Sequence, residues 1–187
     1  MLQTLLRRYA ETQAVAVAPF VVGQRVLDLG AGEGYVGAAL ARCAGVRVCS
    51  ADVGPFGRAG GAYAVYDGER LPFGDGAFDT TLILLTLHHC ADAARVLHEA
   101  ARVTRARLVI VESVWRNALD LFWLRLLDGP VNRLRHDGAM ARATQFRRPE
   151  EWERLFHARR LACVATRWLG SRAERLVHHP LLWALDL

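Results

Sequence analysis

Hydrophobic and polar positions along the chain change period in a repeating order. Leu2, Leu5, Leu6 and Tyr9 recur at helical spacing, which predicts an opening amphipathic helix ended by Pro19. The apolar run Val26 to Leu29 then stops at a cluster of glycines, as a buried strand does when it turns sharply into a helix, here Tyr35 to Cys43. A second strand is expected at Val46 to Ala51. The stretch from Gly54 to Gly61 is too short and too glycine-rich for a crossover helix, so it reads as a loop leading to a third strand at Ala62 to Tyr66. A fourth strand, Phe78 to Leu85, a helix over Ala91 to Val103 and a fifth strand, Leu108 to Glu112, follow, with Thr104 to Arg107 as a short loop. Such alternation calls for a mostly parallel sheet with helices on both faces.

Beyond Ser113, the residues Trp115, Ala118, Leu119, Phe122, Trp123, Leu126 and Leu127 fall on one face of a helix, with Arg116, Asn117, Asp120, Arg125 and Asp128 on the other. The apolar stripe reads as packed core or lid, with a homodimer face or a peripheral membrane contact as the alternative. Arg148-Pro149-Glu150-Glu151-Trp152 has the proline and acids of a helix N-terminus. Strands six and seven are expected at Leu161 to Leu169 and Leu181 to Leu185.

The glycine turn, Gly30-Ala31-Gly32-Glu33-Gly34, is the candidate ligand cradle, because residues without a Cβ let a ligand approach the main chain. It does not fit a dinucleotide fingerprint, since the third glycine position is taken by Tyr35. Asp28, just before the turn, is ill-suited to a pyrophosphate and suits a cationic ligand. Asp52, about 20 residues beyond the glycines, stands where a carboxylate grips ribose hydroxyls.

These segments resemble the class I S-adenosylmethionine-dependent methyltransferases, in the small type 11 branch. The first motif is Val26-Leu27-Asp28-Leu29-Gly30-Ala31-Gly32-Glu33-Gly34; Asp67-Gly68-Glu69-Arg70-Leu71-Pro72-Phe73 is similar to the family's D-x-x-x-L-P-F segment; Phe78-Asp79 through Leu87-His88-His89 is similar to its fourth-strand segment. The resemblance implies a Rossmann-like three-layer sandwich with a seven-stranded sheet whose last strand is antiparallel, in one domain over 1–187. Residues 1–20 form an N-terminal helix that caps the cofactor site, and 113–148 a lid over the acceptor. It further implies S-adenosylmethionine as cofactor: Asp28 at its amino end, the backbone of Gly30, Ala31, Gly32 and Gly34 at its amino-acid portion, Asp52 with Val53 at the ribose. Asp67 with Gly68 would lie by the adenine, and Ile83 and Leu84 beside the methionine part. The short loop after the second strand is expected to leave the adenine side more open.

Methyl transfer needs the acceptor held close to the methyl group and water kept out. A base helps where the acceptor carries a proton, and His88 and His89, just past the fourth strand, are the candidates. His136 in the lid and Glu112 at the end of the fifth strand are further candidates, the latter for holding the acceptor, with strand-end hydrogen bonding as its alternative. No metal site is expected, because adjacent residues such as His88, His89 and Cys90 rarely converge on one ion.

Length and composition narrow this only slightly. The 187 residues fit one domain, and no run reaches the length of a membrane span. With no targeting pattern at Met1 to Ala10, the cytoplasm is the expected compartment. Cys43, Cys49, Cys90 and Cys163 show no C-x-x-C pair and read as buried thiols. All 24 basic residues are Arg, and the excess of positive charge lies beyond residue 112; without interleaved aromatics it reads as a solvated face. The expected acceptor is therefore a small molecule or lipid. An inactive cofactor-binding protein and an RNA methyltransferase stay open as alternatives.

Overall fold

The computed structural model describes residues 2–126, 143, 145–170 and 178–187. Seven strands form one sheet: β1 (Arg25–Leu29), β2 (Arg47–Asp52), β3 (Ala62–Val65), β4 (Phe78–Leu84), β5 (Thr104–Ser113), β6 (Ala162–Trp168) and β7 (Pro180–Asp186). Their order is β3-β2-β1-β4-β5-β7-β6, with β7 antiparallel to both of its neighbours and the pairs from β3 to β5 parallel. The helices are α1 (Leu2–Val17), α2 (Tyr35–Ala44), α3 (Ala93–Val103), α4 (residues 118–126) and α5 (Pro149–Ala158), with 3-10 turns at Ala18–Phe20 and Leu87–His89.

The pleat explains the three layers. Alternate residues of each strand point to opposite faces. Val26, Leu82, Val109, Val111 and Leu182 bury one face against Ala14 and Val17 of α1 and Ala39 and Leu40 of α2. Leu27, Leu29, Ile83, Ile110 and Trp183 bury the other against Val96, Leu97 and Ala100 of α3 and Trp152 and Phe156 of α5. Strands covered on both sides read as continuous apolar runs, which is why they were visible in the sequence. Helix α5 starts at Pro149, with the Glu151 carboxylate accepting from Arg148 N–H at 2.7 Å.

Several elements differ from expectation for identifiable reasons. Strand β5 begins at Thr104, four residues early, because its polar residues have partners: Thr104 shares a hydroxyl hydrogen bond of 2.6 Å with Thr81, and Arg107 pairs with Asp186 at 2.7 Å. Helix α3 starts later, since Asp92 caps it by accepting from Arg95 N–H at 3.0 Å. None of the four cysteines is fully buried, and Cys43 and Cys163 are exposed. On α4, Leu119, Phe122 and Leu126 face solvent while Asp120, placed on the polar side by periodicity, is buried and accepts from Arg116 N and Nε. His136, Leu127 and Asp128 lie outside the described residues. No described helix is long and apolar enough to cross a membrane.

Candidate active site

A cavity of about 560 Å³ opens at the carboxyl ends of β1, β2 and β4, a size typical of small-molecule and cofactor sites. Its floor is the turn Gly30-Ala31-Gly32 with Asp28 beneath; Asp52, Val53 and Phe56 form one wall, and Tyr66, Asp67 and Gly68 continue it. Leu84, Leu85, Thr86, His89 and Cys90 form the opposite wall. The roof is α1, which presents Leu6, Tyr9, Ala10 and Gln13 at positions one helical face apart.

The turn is shaped by close approach. Gly30 has φ +74, and a Cβ there would stand 2.2 Å from the Thr86 methyl. Gly37, in the first turn of α2, sits so near β1 and β2 that a Cβ would meet Val48 at 2.9 Å and the Asp28 carboxylate at 3.0 Å. That closeness lets Gly37 N–H donate to Asp28 Oδ2 at 3.0 Å. Asp52 completes the turn: its Oδ2 accepts from Gly32 N at 2.7 Å and its Oδ1 from Val53 N at 2.7 Å. Each oxygen keeps a second lone pair for a ligand hydroxyl.

The backbone donors of the turn are nevertheless engaged within the protein. Gly30 N and Ala31 N both donate to Ala51 O, at 2.8 and 3.2 Å, and Gly34 N donates to Ala31 O at 2.9 Å. Gly34 opens α2 and does not line the cavity. Ile83 is also away from it, because the pleat turns it into the α3 face of the sheet, where it is fully buried. The other cofactor candidates, Asp28, Gly30, Ala31, Gly32, Asp52, Val53, Asp67, Gly68 and Leu84, all line the cavity.

The loop after β2 is hydrogen-bonded back to the glycine turn. Arg58 N and Ala59 N both donate to Glu33 O at 3.0 Å, and Tyr63 OH donates to Gly32 O at 3.0 Å and Gly54 O at 3.1 Å. The short loop is thereby folded against the glycine turn, with Phe56 in the wall.

The two histidines part company. His89 lines the cavity, whereas His88 is 4 % exposed, stacks on Phe146 and meets Glu112 through Nδ1 at 2.5 Å. Glu112 is completely buried and does not face the cavity; it accepts from Thr86 N at 3.0 Å and Leu87 N at 2.6 Å, as well as meeting His88. It is the strand-end anchor of the loop that carries Leu85, held at φ +55, and His89. A bulky residue in that conformation is costly and persists only where its surroundings fix it.

Electrostatically the cavity is acidic. Among its described lining residues are Asp28, Glu33, Asp52, Asp67, Glu69 and Asp92 against one guanidinium, Arg95, which itself pairs with Glu69 at 3.0 Å. Burial pushes the Asp28 carboxyl up to about 7, with the nearby Asp52 charge adding to the shift and the Gly37 hydrogen bond opposing it. Asp67 is held below its ordinary value by the Arg70 and Glu69 N–H groups. The site thus has room and negative charge for a cationic ligand.

A family model described as "Methyltransferase domain" matches residues 27–110, from the first strand to the fifth. Over residues 27–110 the chain is thus similar to the type 11 methyltransferase domains. A demethylmenaquinone methyltransferase of Beutenbergia cavernae is 40 % identical to it over 116 residues, covering 57 % of this chain and 47 % of that protein. The chain spans about half the length of the curated relatives it matches. Among solved structures, this chain matches a SAM-dependent methyltransferase of Methanosarcina mazei with TM-score 0.68 at 19 % identity, covering 91 % of this chain and 96 % of the other. It also matches the geranyl diphosphate C-methyltransferase of Streptomyces coelicolor, solved with S-adenosyl-L-homocysteine, with TM-score 0.69 at 16 % identity, covering 93 % and 74 %. At such identities the two structures speak for the fold.

Missed by sequence reasoning were the cavity-lining residues Gln13, Phe56, Tyr66, Leu85 and Thr86. The spacing Leu6, Tyr9, Gln13 was a usable signal, one helical face over two turns.

Proposed function

We propose that this chain passes the methyl group of S-adenosylmethionine to a small apolar acceptor of the quinol class, in the cytoplasm. The observation that carries the cofactor half is the acidic cavity on a glycine turn, with two carboxylates, Asp28 and Asp52, at the ends of adjacent strands. When bound, the sulfonium supplies an electrophilic methyl group and leaves as a neutral thioether. Asp52 with Val53 would take the ribose hydroxyls, Asp28 the ammonium of the tail, and Asp67 and Gly68 the adenine edge. Helix α1 would exclude water from above.

The quinol reading is supported by the Beutenbergia relative and by the apolar surfaces of Leu6, Val36, Leu85 and Val96 in the same cavity. His89, and not the enclosed His88, is the base this geometry favours: it would hold the proton that the acceptor loses as its new bond to the methyl carbon forms. Of the expected lid over 113–148, residues 127–142 and 144 lie outside the described residues.

The test is incubation of the purified chain with methyl-labelled S-adenosylmethionine and reduced demethylmenaquinone or a short-chain analogue. Label in the quinol, with transfer cut at least about 100-fold in His89→Ala, is the expected outcome. A chain that binds S-adenosylhomocysteine yet labels no quinol, naphthol or phenol refutes the proposed activity.

A further inference from the structure

Gln13 is 8 % exposed, lines the cavity from α1, and its Oε1 has no hydrogen-bond partner among the described residues. Buried amide oxygens without partners are rare, because leaving one unpaired forfeits its hydration without return. One facing a ligand cavity is accounted for if a ligand completes it.

Its position narrows which part of a ligand that is. Gln13 shares the cavity lining with Val36, Leu84 and Leu85, so this part of α1 lies by the residues that follow β1 and end β4. That end also holds Asp28, whereas Asp52 and Asp67 occupy the wall beyond β2. The zwitterionic end of a cofactor seated on the turn needs both acceptors and donors. Asp28 offers only acceptor oxygens, the N–H groups of Gly30, Ala31 and Gly32 are already spent on Ala51 and Asp52, and Arg95 is drawn to Glu69. An amide carries a carbonyl acceptor and two N–H donors, which suits either charge of an amino acid.

We infer that Gln13 is a binding residue for the amino-acid end of the cofactor, with its amide completing the hydrogen bonds that the glycine turn cannot give. The inference rests on the cofactor reading above and adds a residue outside all the segments that carry the family resemblance. Helix α1 is already docked through Ala14 and Val17, and the ligand would satisfy the one amide oxygen that docking leaves unpaired.

The test compares S-adenosylhomocysteine with 5′-methylthioadenosine, which keeps the adenosine and thioether but has no amino-acid tail, by calorimetry on the full chain. Gln13→Met should weaken S-adenosylhomocysteine about tenfold, the worth of one hydrogen bond to a charged group. It should leave 5′-methylthioadenosine within about twofold, and the free variant should melt no lower than the parent, having lost an unpaired polar atom. Gln13→Glu, which keeps the side-chain length and an acceptor oxygen for the ligand ammonium, should retain the S-adenosylhomocysteine binding that Met loses. Equal losses for the two ligands, or no loss for S-adenosylhomocysteine in Gln13→Met, overturn the inference while leaving the cofactor reading standing. A parent chain that binds neither ligand overturns both.

Discussion

Replacing Asp28 by asparagine should make the free protein more stable and the cofactor complex weaker. The carboxyl is 2 % exposed and titrates at about 7 instead of 3.8, chiefly because burial disfavours its charge. The folded chain therefore binds more protons than the unfolded one between these values, and stability falls as pH rises through that window. By linkage the whole shift is worth up to about 4 kcal/mol, reached above pH 7 and about 2 kcal/mol at pH 5. Asparagine keeps a carbonyl oxygen for the Gly37 N–H and has no charge to desolvate, so Asp28→Asn should gain this amount. For a chain of this size that is about 10 °C in melting temperature at pH 8. Against this, the variant loses a charge-assisted hydrogen bond to the ammonium, about 1.5–3 kcal/mol or 10- to 100-fold in affinity. Thermal melts of both chains at pH 5 and pH 8, with calorimetric titration of S-adenosylhomocysteine, read both effects. A variant less stable than the parent at pH 8, or a gap that does not shrink toward pH 5, would refute the reasoning.

Other outcomes follow from the same geometry. Affinity of the parent chain for S-adenosylhomocysteine should rise with pH from 6 to 8, because the ligand's ammonium needs Asp28 ionised; each unit below its value of about 7 costs up to about tenfold, and a flat calorimetric profile would contradict that. Gly30→Ala, at φ +74 and 2.2 Å from Thr86, should lower stability by about 2–4 kcal/mol and abolish measurable ligand binding; thermal melts and titration check it. Glu112→Ala strands the N–H groups of Thr86 and Leu87 and the ring of His88 without their acceptor. It should cost about 3–5 kcal/mol in denaturant unfolding, and a loss under about 1 kcal/mol would show that Glu112 does not anchor the loop.

Legibility in the sequence followed the range of the forces involved. Strands such as Leu108 to Glu112 and the turn after Leu29 were visible because burial on both faces and positive φ write themselves into neighbouring residues. Glu112, Gln13 and Ile83 were not, for a common reason: each owes its role to a partner far along the chain. A carboxylate at a strand end looks the same whether it faces a ligand or, as here, the N–H groups of Thr86 and Leu87. Ile83 and Leu84 are adjacent letters whose fates the pleat separates. The loop at Gly54 to Gly61 was correctly read as lacking a helix, but its packing on the glycine turn depends on the Tyr63 hydroxyl and the Glu33 carbonyl, which only the third dimension brings together. The apolar face expected of α4 is exposed, while Asp120 turns inward to face the buried His179 and accepts from Arg116.

The central claim is that a sulfonium nucleoside lies over the carboxyl ends of β1 and β2, beneath α1. A crystal structure grown with S-adenosylhomocysteine tests it most directly. Ribose hydroxyls should lie on Asp52, the ammonium beside Asp28 and the sulfur toward His89; a ligand seated elsewhere, with side chains filling this cavity, rules that placement out.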